Sequence, residues 1–177
     1  MARIPYFDLS KASPELAEII KTRLPLNIYR MVAHGGNTAL GFLALGTAIL
    51  NKSDLDPKLR ELVILRVGAL CGSSYEVFQH RRVAGKAGVA AEKIEAVLAD
   101  PKAPVEASLF SKLEIAVLRF TDSVVHDVKA PEQLFNEVSA GLPHQQLVEL
   151  MMTIGFYMLV SRLLENLEVD IEETPPH

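Results

Sequence analysis

Apolar residues recur at three- and four-residue spacing along nearly the whole chain, and no stretch alternates apolar and polar with a period of two. The pattern predicts helices throughout and no strand. Ser13-Pro14-Glu15 is a helix start, with Ser as N-cap and Pro at the first helical position. That helix should run to about Leu24, where Pro25 stops it. A second is expected from Asn27 to His34, ended by Gly35-Gly36. Asn37 can cap a third, which carries Leu40, Leu43, Ala44, Leu45, Ala48 and Ile49. Asp56-Pro57 opens a fourth, ending near Cys71-Gly72, and Ser73 or Ser74 can cap a fifth that runs to a Gly88 C-cap. A sixth spans Ala91 to Leu98, and Pro101 to Pro104 is a linker inside the domain. The spacing then predicts helices from Leu109 to about Val128, from Pro131 to about Ala140, and from Pro143 to about Leu167. The acidic, Pro-rich tail from Asp170 to His177 is expected to fray. Together these elements make an all-α bundle, one domain over residues 1–177, with several short helices packed on two or three long ones.

Two of these helices are apolar almost all round. The fourth carries Leu59, Leu62, Val63, Leu65, Val67, Ala69 and Leu70. The last carries Leu147, Val148, Leu150, Met151, Met152, Ile154, Phe156, Tyr157, Met158, Leu159 and Val160. A helix without a polar face is buried in a core or at a subunit interface. The surplus predicts a homo-oligomer, against the simpler alternative that the domain buries both helices itself. Glu61 and Arg66 of the fourth helix must then be paired, hydrogen-bonded or pocket-facing, since lone buried charges are costly.

Composition narrows the function classes. The chain has 177 residues, 49% hydrophobic and 6% aromatic, enough for one domain with a real core. Its formal net charge of −4 does not provide the basic surface a nucleic-acid partner needs. The apolar runs are broken short of a span, so no transmembrane helix or membrane partner is expected, and the first residues lack the order of a signal peptide. A single cysteine, Cys71, excludes an internal disulfide, reads as a buried structural thiol, and suits a cytoplasmic location.

The candidate chemistry lies in Arg60-Glu61-Leu62 and in Ser73-Ser74-Tyr75-Glu76-Val77-Phe78-Gln79-His80. Glu76 and His80 stand at i and i+4, on one face of a helix, with Ser73 one turn earlier on the same side. An acid from the neighbouring buried helix, Glu61, can join them, and such a group moves protons. Two readings stay open for part of this motif. Ser73-x-x-Glu76 is also a capping box, and Glu61 could be the structural partner of Arg60 or Arg66. Glu61, Glu76 and His80 are too few to hold a metal with the ligands the sequence offers. His34, beside a Gly-Gly break, and Arg82 read as structural or surface positions.

The order Arg-Glu-Leu-x-Ile-Leu-x-Val from Arg60, then Ser-x-Tyr-Glu-x-x-x-His with Tyr75, Glu76 and His80, resembles the carboxymuconolactone decarboxylase family. The likeness is specific over about residues 57 to 98 and weaker elsewhere. It implies the helical fold shared with alkylhydroperoxidase-D-like proteins. The family's peroxidase branch has a Glu, then Cys-x-x-Cys, then a His four residues on. These fall on Glu61, Ser73, Glu76 and His80, so the acid and imidazole are present and both sulfurs are replaced. A thiol peroxidase needs one thiolate to attack and a second thiol to resolve. The resemblance therefore implies the non-redox branch: cofactor-free decarboxylation, or related proton transfer, on a small acidic lactone or keto acid. His80 would be the general acid, with Glu61 or Glu76 setting its tautomer and charge. Ser73, Tyr75, Arg66 and Arg81 are the expected substrate-binding residues. By the same resemblance the oligomer would be a trimer or hexamer, with a dimer next. The rivals are an alkylhydroperoxidase-type antioxidant and a non-catalytic oligomeric binding protein.

Overall fold

The computed structural model describes residues 1–100, 102, 103 and 106–172. Among them are nine α-helices and no strand: α1 (Pro14–Lys21), α2 (Asn27–Val32), α3 (Asn37–Asn51), α4 (Pro57–Leu70), α5 (Ser74–Ala87), α6 (Ala91–Leu98), α7 (Lys112–Asp127), α8 (Glu132–Ser139) and α9 (His144–Leu167). The chain divides into two compact units, Met1–Lys52 with Leu163–His177, and Ser53–Arg162. Pro101 and Pro104, the ends of the expected linker, lie outside the described residues, as does 173–177 of the expected fraying tail.

In the first unit, Ser13 caps α1 as expected, its hydroxyl accepting from Leu16 N. The helix stops at Lys21 rather than Leu24. Arg23 N donates to the Ile20 carbonyl, closing a tight turn that leaves the residue before Pro25 free of the α region. α2 ends at Val32 and tightens into a 3-10 turn over Ala33–Gly35. Gly36, at φ +54, is the N-cap of α3, and Asn37 is its first helical residue instead of its cap. The glycine takes a backbone angle that Asn would hold at a cost. Asp170 is tied down by Tyr6 Oη at 2.9 Å and by Ala2 N at 3.2 Å.

The second unit is built round α4. Asp56 accepts from Lys58 N and Leu59 N, and Pro57 takes the first helical position. Every residue from Leu59 to Gly68 is buried. α5, α6 and α7 pack against it, and Leu62, Leu65, Ala84, Val89, Ile94, Val97, Phe110 and Leu118 form an apolar cluster. Full burial of each large aliphatic side chain is worth about 1.5–3 kcal/mol. α4 and α5 approach closely at Gly68, where a Cβ would lie 3.4 Å from the Cβ of Glu76. Gly88 ends α5 in the left-handed region at φ +87. α7 begins at Lys112, behind a Ser111/Glu114 capping box, and a 3-10 turn occupies Ala107–Leu109, where the helix was expected to start.

α9 is long and apolar enough to cross a membrane by length and composition, although half of its most apolar window is buried inside the protein. The short-run argument against a span does not see this, because it counts interruptions such as Thr153 and Gly155 that a helix tolerates.

Candidate active site

α4 carries Glu61 into the interior, where its side chain is wholly buried. A carboxylate in that position must be paired. Oε1 accepts from Nε and Nη2 of Arg60, at 3.2 and 3.1 Å. Oε2 accepts from Nδ1 of His80, at 2.7 Å. The imidazole comes from α5, and the same helix brings Glu76 one turn earlier. Glu76 Oε2 stands 3.6 Å from His80 Nε2, beyond hydrogen-bond range, and is buried without a hydrogen bond. Tyr157 of α9 sets its ring edge-on to the imidazole, centroids 5.0 Å apart and planes at 88°.

Glu61 thus holds the Nδ1 proton, which leaves Nε2 as the working corner of the ring. Burial, the largest influence on His80, pulls its pKa down. The hydrogen bond to Glu61, the Glu61 charge and the Glu76 charge outweigh it, with Arg60 opposing, and the net direction is upward. Burial pushes Glu76 above the usual carboxylate range; the His80 charge opposes that and the Glu61 charge adds to it. The cluster is therefore rich in protons: an imidazole biased toward imidazolium faces a carboxyl biased toward its neutral form.

The structure brings Glu61, Glu76 and His80 together. Ser73 is the N-cap of α5, but no side-chain bond caps that helix, and the buried Ser73 hydroxyl makes no hydrogen bond among the described residues. The capping box is not formed, because Glu76 turns along the helix face toward His80. Tyr75 is buried in the first turn of α5.

Arg66 and Arg81, expected to bind substrate, lie elsewhere. Arg66 stands five residues after Glu61, about 140° round the helix at 3.6 residues per turn. Its five N–H groups are all taken: two by Asp122, at 2.7 and 2.9 Å, and three by the carbonyls of Val97, Asp100 and Ala103. Arg81 follows His80 by one residue and so points off its face. It makes a two-point pair with Glu95 of α6 at the surface, at 2.5 and 3.0 Å. His34 is structural, its Nε2 donating to the Pro5 carbonyl at 2.8 Å and its ring edge-on to Phe7. Cys71 is half-buried at the C-cap of α4 instead of in the core, and burial raises its thiol pKa, with Arg162 opposing. Among the described residues, no group of three or more His, Cys, Asp and Glu is arranged to hold a metal ion.

One member of the cluster, Tyr157, is not legible in the sequence. Arg60 is named there as a possible partner of Glu61, and the structure forms that pair. Here its long side chain folds back to reach the carboxylate. Tyr157 was absorbed into the apolar stripe of α9, and no spacing signal separates it from that stripe.

The helical architecture is that of the AhpD-like fold. A crystal structure described as an alkylhydroperoxidase AhpD core, an uncharacterized peroxidase-related protein from Ralstonia eutropha JMP134, matches with a TM-score of 0.81 and 17% identity, over 97% of this chain and 93% of that one. A protein of unknown function from Agrobacterium tumefaciens, described as a putative antioxidant defence protein AhpD, matches with a TM-score of 0.69 and 19% identity, over 80% of this chain and 96% of that one. The debrominase Bmp8, in its apo form, matches with a TM-score of 0.75 and 17% identity, over 95% and 91%. Comparison with curated proteins gave no match. Residues 37–117, which include α4, α5 and the whole Glu61–Glu76–His80 cluster, match the model of the carboxymuconolactone decarboxylase family.

Proposed function

We propose that this chain is a member of the carboxymuconolactone decarboxylase family without the redox cysteine pair, and that it uses His80 to move a proton during decarboxylation, or closely related proton transfer, of a small acidic lactone or keto acid. The observation that supports this most is the 2.7 Å bond from His80 Nδ1 to the buried Glu61, which turns Nε2 toward Glu76. In decarboxylation the C–C bond to the carboxylate breaks and CO2 leaves. The electron pair stays on the α-carbon and delocalises into the neighbouring carbonyl as an enolate. His80 delivers its Nε2 proton to that carbon, the N–H electrons return to the ring, and solvent restores the proton. Glu61 orients the ring and balances the imidazolium, and Glu76 is a second proton holder beside Nε2. No cofactor enters this chemistry. The test is to screen small lactones and keto acids for CO2 release by the purified protein. A panel that yields no release above the uncatalysed rate would argue against the reading.

The antioxidant reading is the runner-up, because two fold neighbours carry peroxidase or antioxidant descriptions. It requires two thiols, and Ser73 and Glu76 stand where the peroxidase branch has cysteines. We expect no turnover of organic hydroperoxide in an assay driven by a dithiol reductant. Turnover that survives Cys71→Ser would overturn this expectation, and turnover lost with Cys71 would return the thiol to the mechanism.

A homo-oligomer fits the same protein. The chain itself buries the apolar surplus of α4, but α9 leaves Val148, Met152 and Leu159 each at least 50% exposed, along one helix face. Light scattering at micromolar concentration should give a mass that is a multiple of 19.4 kDa, three- or sixfold first. A monomer would remove the oligomer from this account.

A further inference from the structure

We propose that Arg60 is the anion-binding group of this site and that its unused guanidinium corner takes a carboxylate of the substrate; the proposal rests on reading the Glu61–His80 cluster as the active site. A site for an acidic molecule needs a cation that is close to the proton carrier and not already saturated. Arg66 has spent all five N–H groups on Asp122 and three carbonyls. Arg81 is held in a two-point pair by Glu95 at the surface.

Arg60 is different. It is 7% exposed, and Nε and Nη2 both donate to one oxygen of Glu61. Nη1 makes no hydrogen bond among the described residues. A guanidinium offers five N–H donors in a planar fork, and those of Nη1 remain for a ligand to accept. A carboxylate matches that fork in charge and in shape.

Position supports the role. Arg60 and His80 hang on the two oxygens of one carboxylate, so guanidinium and imidazole lie within reach of one small molecule. The charges point the same way. Glu61 alone faces two cationic groups, and Glu76, the remaining acid, is biased by burial toward its neutral form. An anionic ligand completes the balance. A neutral ligand of the same size leaves the guanidinium corner empty.

The test uses 4-oxopentanoate, a keto acid whose carbonyl is placed too far from the carboxylate for ready loss of CO2, and its neutral methyl ester. Both are titrated by calorimetry into the full chain at one ionic strength. The wild type should bind the acid at least about tenfold more tightly than the ester. Arg60→Gln with Glu61→Gln replaces the ion pair by two amides. This double variant should lose that preference, with helicity by circular dichroism unchanged. Should it fail to fold, Arg60→Lys serves instead. It keeps the charge beside Glu61 but cannot serve two carboxylates from one planar fork, and it should weaken acid binding severalfold. His80→Ala should keep the preference.

Equal binding of acid and ester by the wild type overturns the proposal. So does a folded double variant that binds like the wild type. A wild type that prefers the acid through Arg60 and yet releases CO2 from no compound leaves Arg60 as the anion site, and it is the decarboxylation reading that fails.

Discussion

Replacing His80 with alanine is expected to lower the rate of CO2 release from any accepted lactone or keto acid at least ~100-fold, the lower end for a positioned general acid. The fold should persist, because Glu61 keeps Arg60 as its partner when the imidazole is removed. Glu61→Gln should cost less, since an amide oxygen can still accept from Nδ1–H while it no longer balances a charged ring. The pH dependence has a definite sign. Burial pulls the folded pKa of His80 down, Glu61 and Glu76 outweigh it, and the net shift is upward, so the acid form persists to higher pH than in a free imidazole. The rate should hold below that raised pKa and fall as pH rises through it. In His80→Ala this alkaline limb should vanish with the activity. Equal rates in the two proteins would remove His80 from the mechanism.

The second large effect is structural. Arg66→Ala should destabilise the protein by about 3–5 kcal/mol, the range for removing one partner of a buried ion pair. Asp122 is left without its guanidinium, the carbonyls of Val97, Asp100 and Ala103 lose their donor, and a cavity opens beside α4. For a chain of this size each kcal/mol moves the melting temperature by roughly 2–4 °C. Thermal unfolding followed by circular dichroism measures it. A shift below about 2 °C, paired with a loss of substrate affinity, would restore the substrate-binding role that the sequence suggested.

Arg66 shows where sequence reasoning stops. That it must be paired follows from the apolar pattern round it. That Asp122, 56 residues away on α7, is the partner does not, because no local spacing records it. Arg60 is the opposite case: its partner is next in sequence, and the Arg60–Glu61 pairing was one of the two the sequence offered. The Glu76–His80 pair was legible because i and i+4 share a face. Glu61 was legible because a carboxylate in an apolar helix needs an explanation. Helix starts at Ser13 and Asp56 were legible from side chains that cap. The expected cap at Asn37 was not found, because a backbone angle available to Gly36 does that work. The Ser73 capping box was not found either, because its Glu has a partner farther along the helix.

The central claim is that His80 is a buried acid whose protonated form is favoured by Glu61. Nitrogen-15 NMR titration of the histidine rings, assigned with His80→Gln, tests it most directly. The account predicts that the His80 ring titrates above the ordinary value of ~6.5 and that Glu61→Gln moves it down. A ring that titrates at or below ~6.5, or that titrates alike with and without the Glu61 carboxylate, would contradict it.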